Sequence, residues 1–203
     1  MTSPQPTRRD GEATRRRLLR AALELYTTAG FRATTTPALA ARAGVAEGTI
    51  YRHFSGKEHL LNEVFRAAQG WGTATVRETE GEPGVPGRLR QIARRLLETA
   101  SRDAPLTRML LRRRDEQHLD EKSREAERGF RDALQHVVAA GKSDGVVRSG
   151  PAELWTEVWL ALVAFVAERV GAREWAPDAA PVEMALDAAW DAIADRSGAS
   201  VSP

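Results

Sequence analysis

The sequence contains no cysteine, few aromatic residues and no long apolar run. Without cysteine it can form neither a disulfide framework nor a thiolate metal site. The most apolar stretch, residues 158–167, lies between Glu157 and Glu168 and is about half as long as a membrane-spanning helix. The basic N-terminus is not followed by the apolar segment of a secretory signal. We therefore expect a cytoplasmic protein that does not enter a membrane.

Residues typical of strands are also scarce, whereas alanine, leucine, arginine and glutamate are abundant. Apolar residues recur at helical spacing, and no alternating strand pattern is present. Gly30 and Gly44 mark helix ends, and Thr36 as N-cap before Pro37 marks a helix start. The glycine- and proline-rich stretch at 78–87 is either a turn or a domain linker. The sequence therefore predicts an all-α fold of about nine helices.

Charge is unevenly distributed along the chain. The net charge is +2, but residues 1–70 hold eleven basic and six acidic residues, a net of +5. Residues 71–203 hold nineteen basic and twenty-two acidic residues. An anionic partner, above all nucleic acid, is therefore expected to bind the N-terminal third. On charge alone, basic residues that merely solvate a helix face are an equal alternative.

The segment "AEGTIYRHFSGKE", residues 46–58, has only two large apolar positions, Ile50 and Phe54. These lie four residues apart and are expected to anchor a short helix, which leaves Gly48, Thr49 and Arg52 on the opposite side. Small, polar and cationic side chains suit base edges and phosphates. Together with the preceding short helix and the "AGV" turn, the segment predicts a helix-turn-helix whose second helix enters the major groove of DNA.

The string "TTTPALAARAGVAEGTIYRHFSGKEHLL", with the helix before it, resembles the DNA-binding region of the tetracycline-repressor (TetR) family of transcriptional regulators. The resemblance is close over residues 14–66 and elsewhere rests on helix number, chain length and "DGVVR". It implies an N-terminal three-helix DNA-binding domain and a C-terminal helical domain for ligand binding and dimerisation. We place a disordered basic tail at 1–13, these two domains at 14–60 and 61–196, and a loose tail at 197–203.

The resemblance also implies which residues contact double-stranded DNA. Phosphate contacts are expected at the start of the second helix, on the flanks of the recognition helix and at the start of the fourth helix, from Thr35, Thr36, Tyr51, His53 and Lys57. Gly48 and Thr49 would meet the groove, and Arg52 is the best candidate for a bidentate guanine contact. Half-buried packing is the alternative for Tyr51, because a tyrosine ring often covers a helix junction.

Two positions depart from the family pattern. Ala46 stands where many members carry serine or threonine, so a side-chain cap worth about 1 kcal/mol is missing. Glu47 stands where a basic or polar residue is common, and its carboxylate repels phosphate. We expect Glu47 instead to accept a hydrogen bond from a cytosine amino group.

The last two helices are predicted to form a dimer interface. Residues 154–170 carry two apolar stripes, and one stripe is enough to dock a helix on its own subunit. The second stripe and a small-residue face near the C-terminus would pair with a symmetry mate as a four-helix bundle, through Val158, Leu162, Phe165, Ala185, Ala189 and Ala192. Such a homodimer would bind a palindromic operator.

An effector pocket is expected among helices five to eight. Its candidate lining residues are Met109, Leu110, Phe130, Trp155 and Trp159, although plain core is the commoner meaning of apolar residues at this spacing. The spacing of histidine and acidic residues resembles no metal site, and we expect no cofactor.

Three functions remain in competition. The first is a repressor that a small-molecule effector releases from its operator. The second is a ligand-independent activator or constitutive DNA-binding regulator. The third is an all-α enzyme or scaffold, for which no nucleophile–base pair or phosphate-binding loop is found in the sequence.

Overall fold

The computed structural model describes residues 8–112 and 116–196. Within these ranges the chain forms nine α-helices, and its only extended pairing is an antiparallel bridge between Val147 and Ala194. The helices are α1 (Arg8–Thr28), α2 (Thr36–Ala43), α3 (Ile50–His53), α4 (Lys57–Arg77), α5 (Val85–Arg102), α6 (Ala104–Leu111), α7 (Glu121–Ser143), α8 (Ala152–Gly171) and α9 (Ala180–Asp191). The predicted all-α fold is confirmed. No helix in the described ranges is long and apolar enough to cross a membrane.

Helix α1 begins at Arg8, six residues before the expected start at Thr14. Asp10 lies in its first turn, where a carboxylate is favoured by the helix dipole. The predicted disordered tail is therefore wrong for residues 8–13, which are helical, whereas 1–7 lie outside the described residues, as does the expected tail at 197–203. Further along α1, Leu18 and Tyr26 are fully buried, and α1 packs on α2.

The described residues divide into two compact units, and the first unit is larger than the expected domain 14–60. It includes the described residues up to Ala67 and also those within 114–124. The reason is a set of hydrogen bonds between residues that are far apart in sequence. The guanidinium of Arg66 donates to both carboxylate oxygens of Asp120, at 3.0 and 2.8 Å, and to the hydroxyl of Ser123 at 3.2 Å.

The second unit holds the rest of the described chain from Ala68 onward. Helix α5 buries a long apolar stripe and packs on α6, α8 and α9. In the stretch at 78–87, residues 78–84 form a turn between α4 and α5 inside this unit and residues 85–87 begin α5, so the linker alternative is not observed. Gly84 adopts φ of 73° just before α5, a left-handed conformation that glycine tolerates best.

Candidate nucleic-acid interface

Helix α2 begins one residue earlier than expected. The N-cap is Thr35, whose hydroxyl accepts from the amide of Ala38 at 3.3 Å, while its carbonyl accepts from the amide of Leu39 at 3.1 Å. Thr36 is therefore the first helical residue and not the cap. Pro37 still lies in the first turn, where its missing N–H costs nothing. Both threonines remain at the N-terminal end of α2, where backbone amides favour an anion.

The turn after α2 forms as predicted. Gly44 adopts φ of 65° and ψ of 43°, and its amide donates to the carbonyls of Ala40 and Ala41. The amide of Val45 also donates to Ala40, at 3.0 Å. These bonds end α2 and redirect the chain into the recognition segment.

The recognition segment is a single 3₁₀ turn, Glu47–Thr49, continued by α3. No side chain caps its start at Ala46, as expected for alanine. Ile50 is 0% exposed and Phe54 is 2% exposed, so the two predicted anchors are buried. Their burial determines which side of α3 faces outward.

Four of the predicted DNA-contact residues on this segment are exposed, namely Glu47, Gly48, Tyr51 and Arg52. Tyr51 is 59% exposed, which contradicts the alternative that its ring is packed. Thr49 and His53 are half-buried. Arg52 donates to the hydroxyl of Thr49 at 3.2 Å, which holds the guanidinium along the outward face.

Lys57 is engaged by the protein more than sequence reasoning anticipated. Its ammonium donates to the carbonyls of Phe31 and Thr34, at 3.3 and 3.2 Å, and lies 4.5 Å from the centre of the Phe31 ring. The hydroxyl of Tyr26 donates to the Lys57 carbonyl at 2.8 Å, and burial raises the pKa of Tyr26 above its ordinary value. Lys57 thus fastens the connection between α1 and α2 to the start of α4.

Glu63 on α4 forms ion pairs with two arginines, Arg15 and Arg66. Partial burial raises the pKa of Glu63, but hydrogen bonds and charge from Arg15 and Arg66 together bring it below its ordinary value. The guanidinium of Arg15 also lies 5.0 Å from the centre of the Phe54 ring. Arg15 is therefore held against the anchor of α3, a role that the basic composition of α1 alone did not indicate.

Comparison with known proteins relates one segment of the chain to a family. The family model described as bacterial regulatory proteins, tetR family, matches residues 18–64, which extend from α1 through the turn and α3 into α4. This segment therefore has the sequence of a TetR-family DNA-binding region.

Similar proteins agree with this assignment. The chain is 39% identical over 67 residues to the HTH-type transcriptional repressor KstR2 of Rhodococcus jostii, a match covering 32% of this chain and 33% of that protein. The chain thus spans about a third of the length of the curated relatives it matches. Those relatives are named transcriptional regulators, not enzymes.

Two solved structures share the fold over nearly the whole chain. FadR from Bacillus subtilis, in complex with stearoyl-CoA, has a TM-score of 0.70 at 22% identity and covers 88% of this chain and 98% of its own. AibR, in complex with isovaleryl coenzyme A and operator DNA, has a TM-score of 0.70 at 18% identity and covers 89% and 97%.

In the second unit, the predicted ligand residues do not gather around one pocket. Leu110 and Phe130 pack on Gly72 of α4, where an added Cβ would lie 2.6 and 3.0 Å from their side chains. Met109 is also fully buried. Trp159 lines a cavity of about 170 Å³ between α5, α8 and α9, together with Leu89, Leu186 and Trp190.

Trp155 lies against the loop that precedes α8. Its indole N–H donates to the carbonyl of Ser149 at 3.0 Å, and the guanidinium of Arg148 lies 5.2 Å from its ring centre. The indole ring of Trp155 also lies close to Gly150. These contacts assign Trp155 to loop packing rather than to a ligand pocket.

The predicted dimer residues are only partly on the surface. Phe165 is 50% exposed, and Val158, Leu162, Ala185 and Ala192 are half-buried. Ala189 is 0% exposed, so its assignment to the interface is wrong. It belongs to the inward stripe of α9 formed by Val182, Leu186 and Ala189.

Sequence reasoning missed Met184, which is 71% exposed on α9. Leu154, which belongs to the second apolar stripe of α8, is 48% exposed. At 100° per residue, Met184 lies on the opposite side of α9 from the inward stripe. Correct identification of the inward stripe would have placed Met184 on the exposed side of α9. Among the described residues no cluster of histidine, aspartate and glutamate is suited to a metal ion.

Proposed function

We propose that the protein is a transcriptional repressor that binds a palindromic operator as a homodimer and is released by a small-molecule effector. The observation that carries the proposal is the division of α3 into two faces. Ile50 and Phe54 are buried, whereas Glu47 and Arg52 are exposed. Tyr51 supplies the one large ring on this exposed face. A core helix would not expose this set.

The outward face suits the major groove of DNA. Arg52 can donate to guanine and Glu47 can accept from cytosine, the pairings that their side chains favour. Gly48 carries no side chain and has no atom within contact distance of its missing Cβ, so the DNA backbone or a base edge can approach closely. We propose that these three residues read the operator.

Phosphate contacts would flank this reading face. Thr35 and Thr36 lie at the N-terminal end of α2, and the exposed hydroxyl of Tyr51 and the ring of half-buried His53 border α3. Lys57 uses two of its three N–H groups on carbonyls and keeps one for a phosphate. Such contacts orient the protein, while the base contacts select the sequence.

Dimerisation is supported by the apolar surface of α8 and α9. Leu154, Phe165 and Met184 are each about half exposed or more, and large apolar side chains in such numbers on adjacent helices mark an interface. A twofold dimer would present two α3 helices about 34 Å apart, one turn of DNA.

Release by an effector is supported by the shared fold of FadR and AibR, which were solved with acyl-CoA molecules. An effector acts by binding one dimer geometry better than the other. Since the operator of a bacterial regulator lies in the cytoplasm, the proposal places the protein there. A protein that no small molecule releases would instead be a ligand-independent regulator.

Fluorescence anisotropy with DNA from around the protein's own gene tests the proposal. We expect salt-sensitive binding at least 10³-fold tighter than to unrelated DNA. Arg52→Ala should weaken operator binding about tenfold or more. Arg169→Ala, which removes an equal charge from α8, should not. Equal affinity for operator and unrelated DNA would refute the proposal.

A further inference from the structure

A cleft between α6 and α8 has the size of a small ligand. Its volume is about 140 Å³, and its walls include Ala104 of α6 and both Ala164 and Ala167 of α8. Because alanine side chains are small, they leave a space between α6 and α8, which pack together elsewhere. An engineered apolar cavity of about 150 Å³ accepts benzene, so this cleft matches an apolar body of that size.

The cleft contains a buried hydroxyl that has no partner. Thr107 is 2% exposed, lines the cleft, and makes no hydrogen bond through Oγ1. Thr156 of α8 is equally buried, but its hydroxyl donates to the carbonyl of Ala152 at 2.8 Å, the usual arrangement in a helix. The equivalent acceptor for Thr107, the carbonyl of Asp103, already accepts from the amides of Leu106 and Thr107. A buried hydroxyl of this kind costs free energy until something binds it.

The mouth of the cleft carries an excess positive charge. Arg108 donates through Nε to both oxygens of Glu168, at 3.2 and 3.1 Å, and Arg112 donates to the same carboxylate at 3.2 Å. Two guanidinium groups thus share one carboxylate. Arg112 is 54% exposed and uses only one of its five N–H groups on Glu168, so it can also bind an anion.

We propose that this cleft is the effector site, and that its ligand is a small hydroxylated carboxylate with an apolar body the size of a benzene ring. The ring would lie against the alanines, the carboxylate would bind Arg112, and the hydroxyl would bind Thr107. Arg112, the C-cap of α6, is five positions beyond Thr107, a rise of roughly 7.5 Å, which suits groups at opposite ends of such a ring. The effector role rests on the function proposed above.

Calorimetric titration of the full-length protein with 4-hydroxybenzoate, without DNA, tests the site. We expect saturable binding of one molecule per chain, with a dissociation constant of about 1 mM or lower. The neutral 4-hydroxybenzamide should bind about tenfold more weakly, because it lacks the charge that Arg112 recognises. Arg112→Gln should reduce the preference for the carboxylate.

Two further variants test the alanine walls of the cleft and the hydroxyl of Thr107. Thr107→Val should weaken 4-hydroxybenzoate binding about fivefold or more while hardly changing the binding of benzoate. The matched control, Thr156→Val, should leave both affinities unchanged. Ala164→Leu fills the cleft and should abolish binding, with circular dichroism showing that the variant remains folded.

The inference is overturned if 4-hydroxybenzoate does not bind, if the neutral amide binds equally well, or if folded Ala164→Leu binds as the wild type does. Operator binding is measured on the same samples. A protein that binds its operator but no carboxylate overturns this inference alone. A protein that binds the carboxylate in the cleft but no specific DNA overturns the function proposed above and leaves the site in place.

Discussion

The side-chain amide of Asn62 donates to the backbone carbonyl of His118, 56 residues further along the chain, at 3.0 Å. Its oxygen accepts from the amide of Asp120 at 2.8 Å. Asn62 is 4% exposed, so the two bonds satisfy backbone groups where water has little access. One side chain on α4 thereby ties the segment before α7 into the first unit.

Replacing this amide should destabilise the first unit. Asn62→Leu removes these bonds and a third, from the Asn62 amide to the carbonyl of Glu58, for a loss of about 2–3 kcal/mol in urea unfolding. Asn62→Asp retains an acceptor for the Asp120 amide but sets a buried carboxylate oxygen against the carbonyl of His118, so it should also destabilise the unit in neutral buffer. A change below about 0.5 kcal/mol for Asn62→Leu would show that the contact contributes little.

Two aromatic residues of the recognition segment should respond oppositely to truncation. Phe54→Ala empties a buried site and should cost about 3–5 kcal/mol. Tyr51→Ala alters an exposed ring and should change stability by less than about 0.5 kcal/mol while weakening DNA binding. Thermal unfolding and anisotropy on the same samples distinguish the two effects. Equal destabilisation by both variants would contradict the division of faces on α3.

Glu47 should determine base preference at one position of each half-site. Selection from a randomised operator library should enrich cytosine there for the wild type and lose that preference for Glu47→Ala. Removing the carboxylate should also strengthen binding to unrelated DNA, because a repulsion from phosphate disappears. An unchanged selected sequence would contradict the role given to Glu47.

Acid should weaken the first unit through Glu63. Its folded-state pKa lies below the ordinary value, so the unfolded chain binds its proton more readily. Its stabilising contribution is complete above the unfolded pKa of about 4.3 and is lost as the pH falls towards the lower folded pKa. Urea unfolding between neutral and acid pH should show a smaller loss for Glu63→Gln than for the wild type. Glu153→Gln, at an exposed site on α8, should retain the wild-type profile.

The exposed face of α9 should control self-association. Met184→Glu places a charge at a side chain that is 71% exposed, so the fold of each subunit should persist while the dimer dissociates. Analytical ultracentrifugation should give a monomer for Met184→Glu and a dimer for the wild type and Tyr51→Ala. A dimeric Met184→Glu variant would place the interface elsewhere.

Predictions that depend on local chemistry agree with the structure. Gly44 ends α2 because glycine adopts the left-handed conformation without strain, and Ile50 and Phe54 are buried because their spacing places them on one side of a helix. The family resemblance over residues 14–66 is likewise confirmed by the match to 18–64. The individual DNA contacts stay predictions.

Predictions that required choosing between two apolar stripes were less accurate. On α9 the sequence predicts that Ala189 lies on a small-residue face at the interface, and only packing against α5 and α8 shows that Ala189 faces inward and Met184 outward. Likewise, a tryptophan such as Trp155 is typical of a pocket lining, but its indole N–H donates to the carbonyl of Ser149 in the loop. Periodicity defines a helix face without identifying what covers it.

The sequence by itself determined the all-α fold of the described residues, the helix-turn-helix and the separation of buried anchors from exposed residues on α3. It could do so because capping, turn chemistry and helical spacing act between close neighbours. Tertiary structure alone decided that Asn62 binds His118, that Lys57 is held by two carbonyls, and that the hydroxyl of Thr107 is left beside a cleft. Those outcomes depend on which distant backbone groups each side chain meets after the helices have packed.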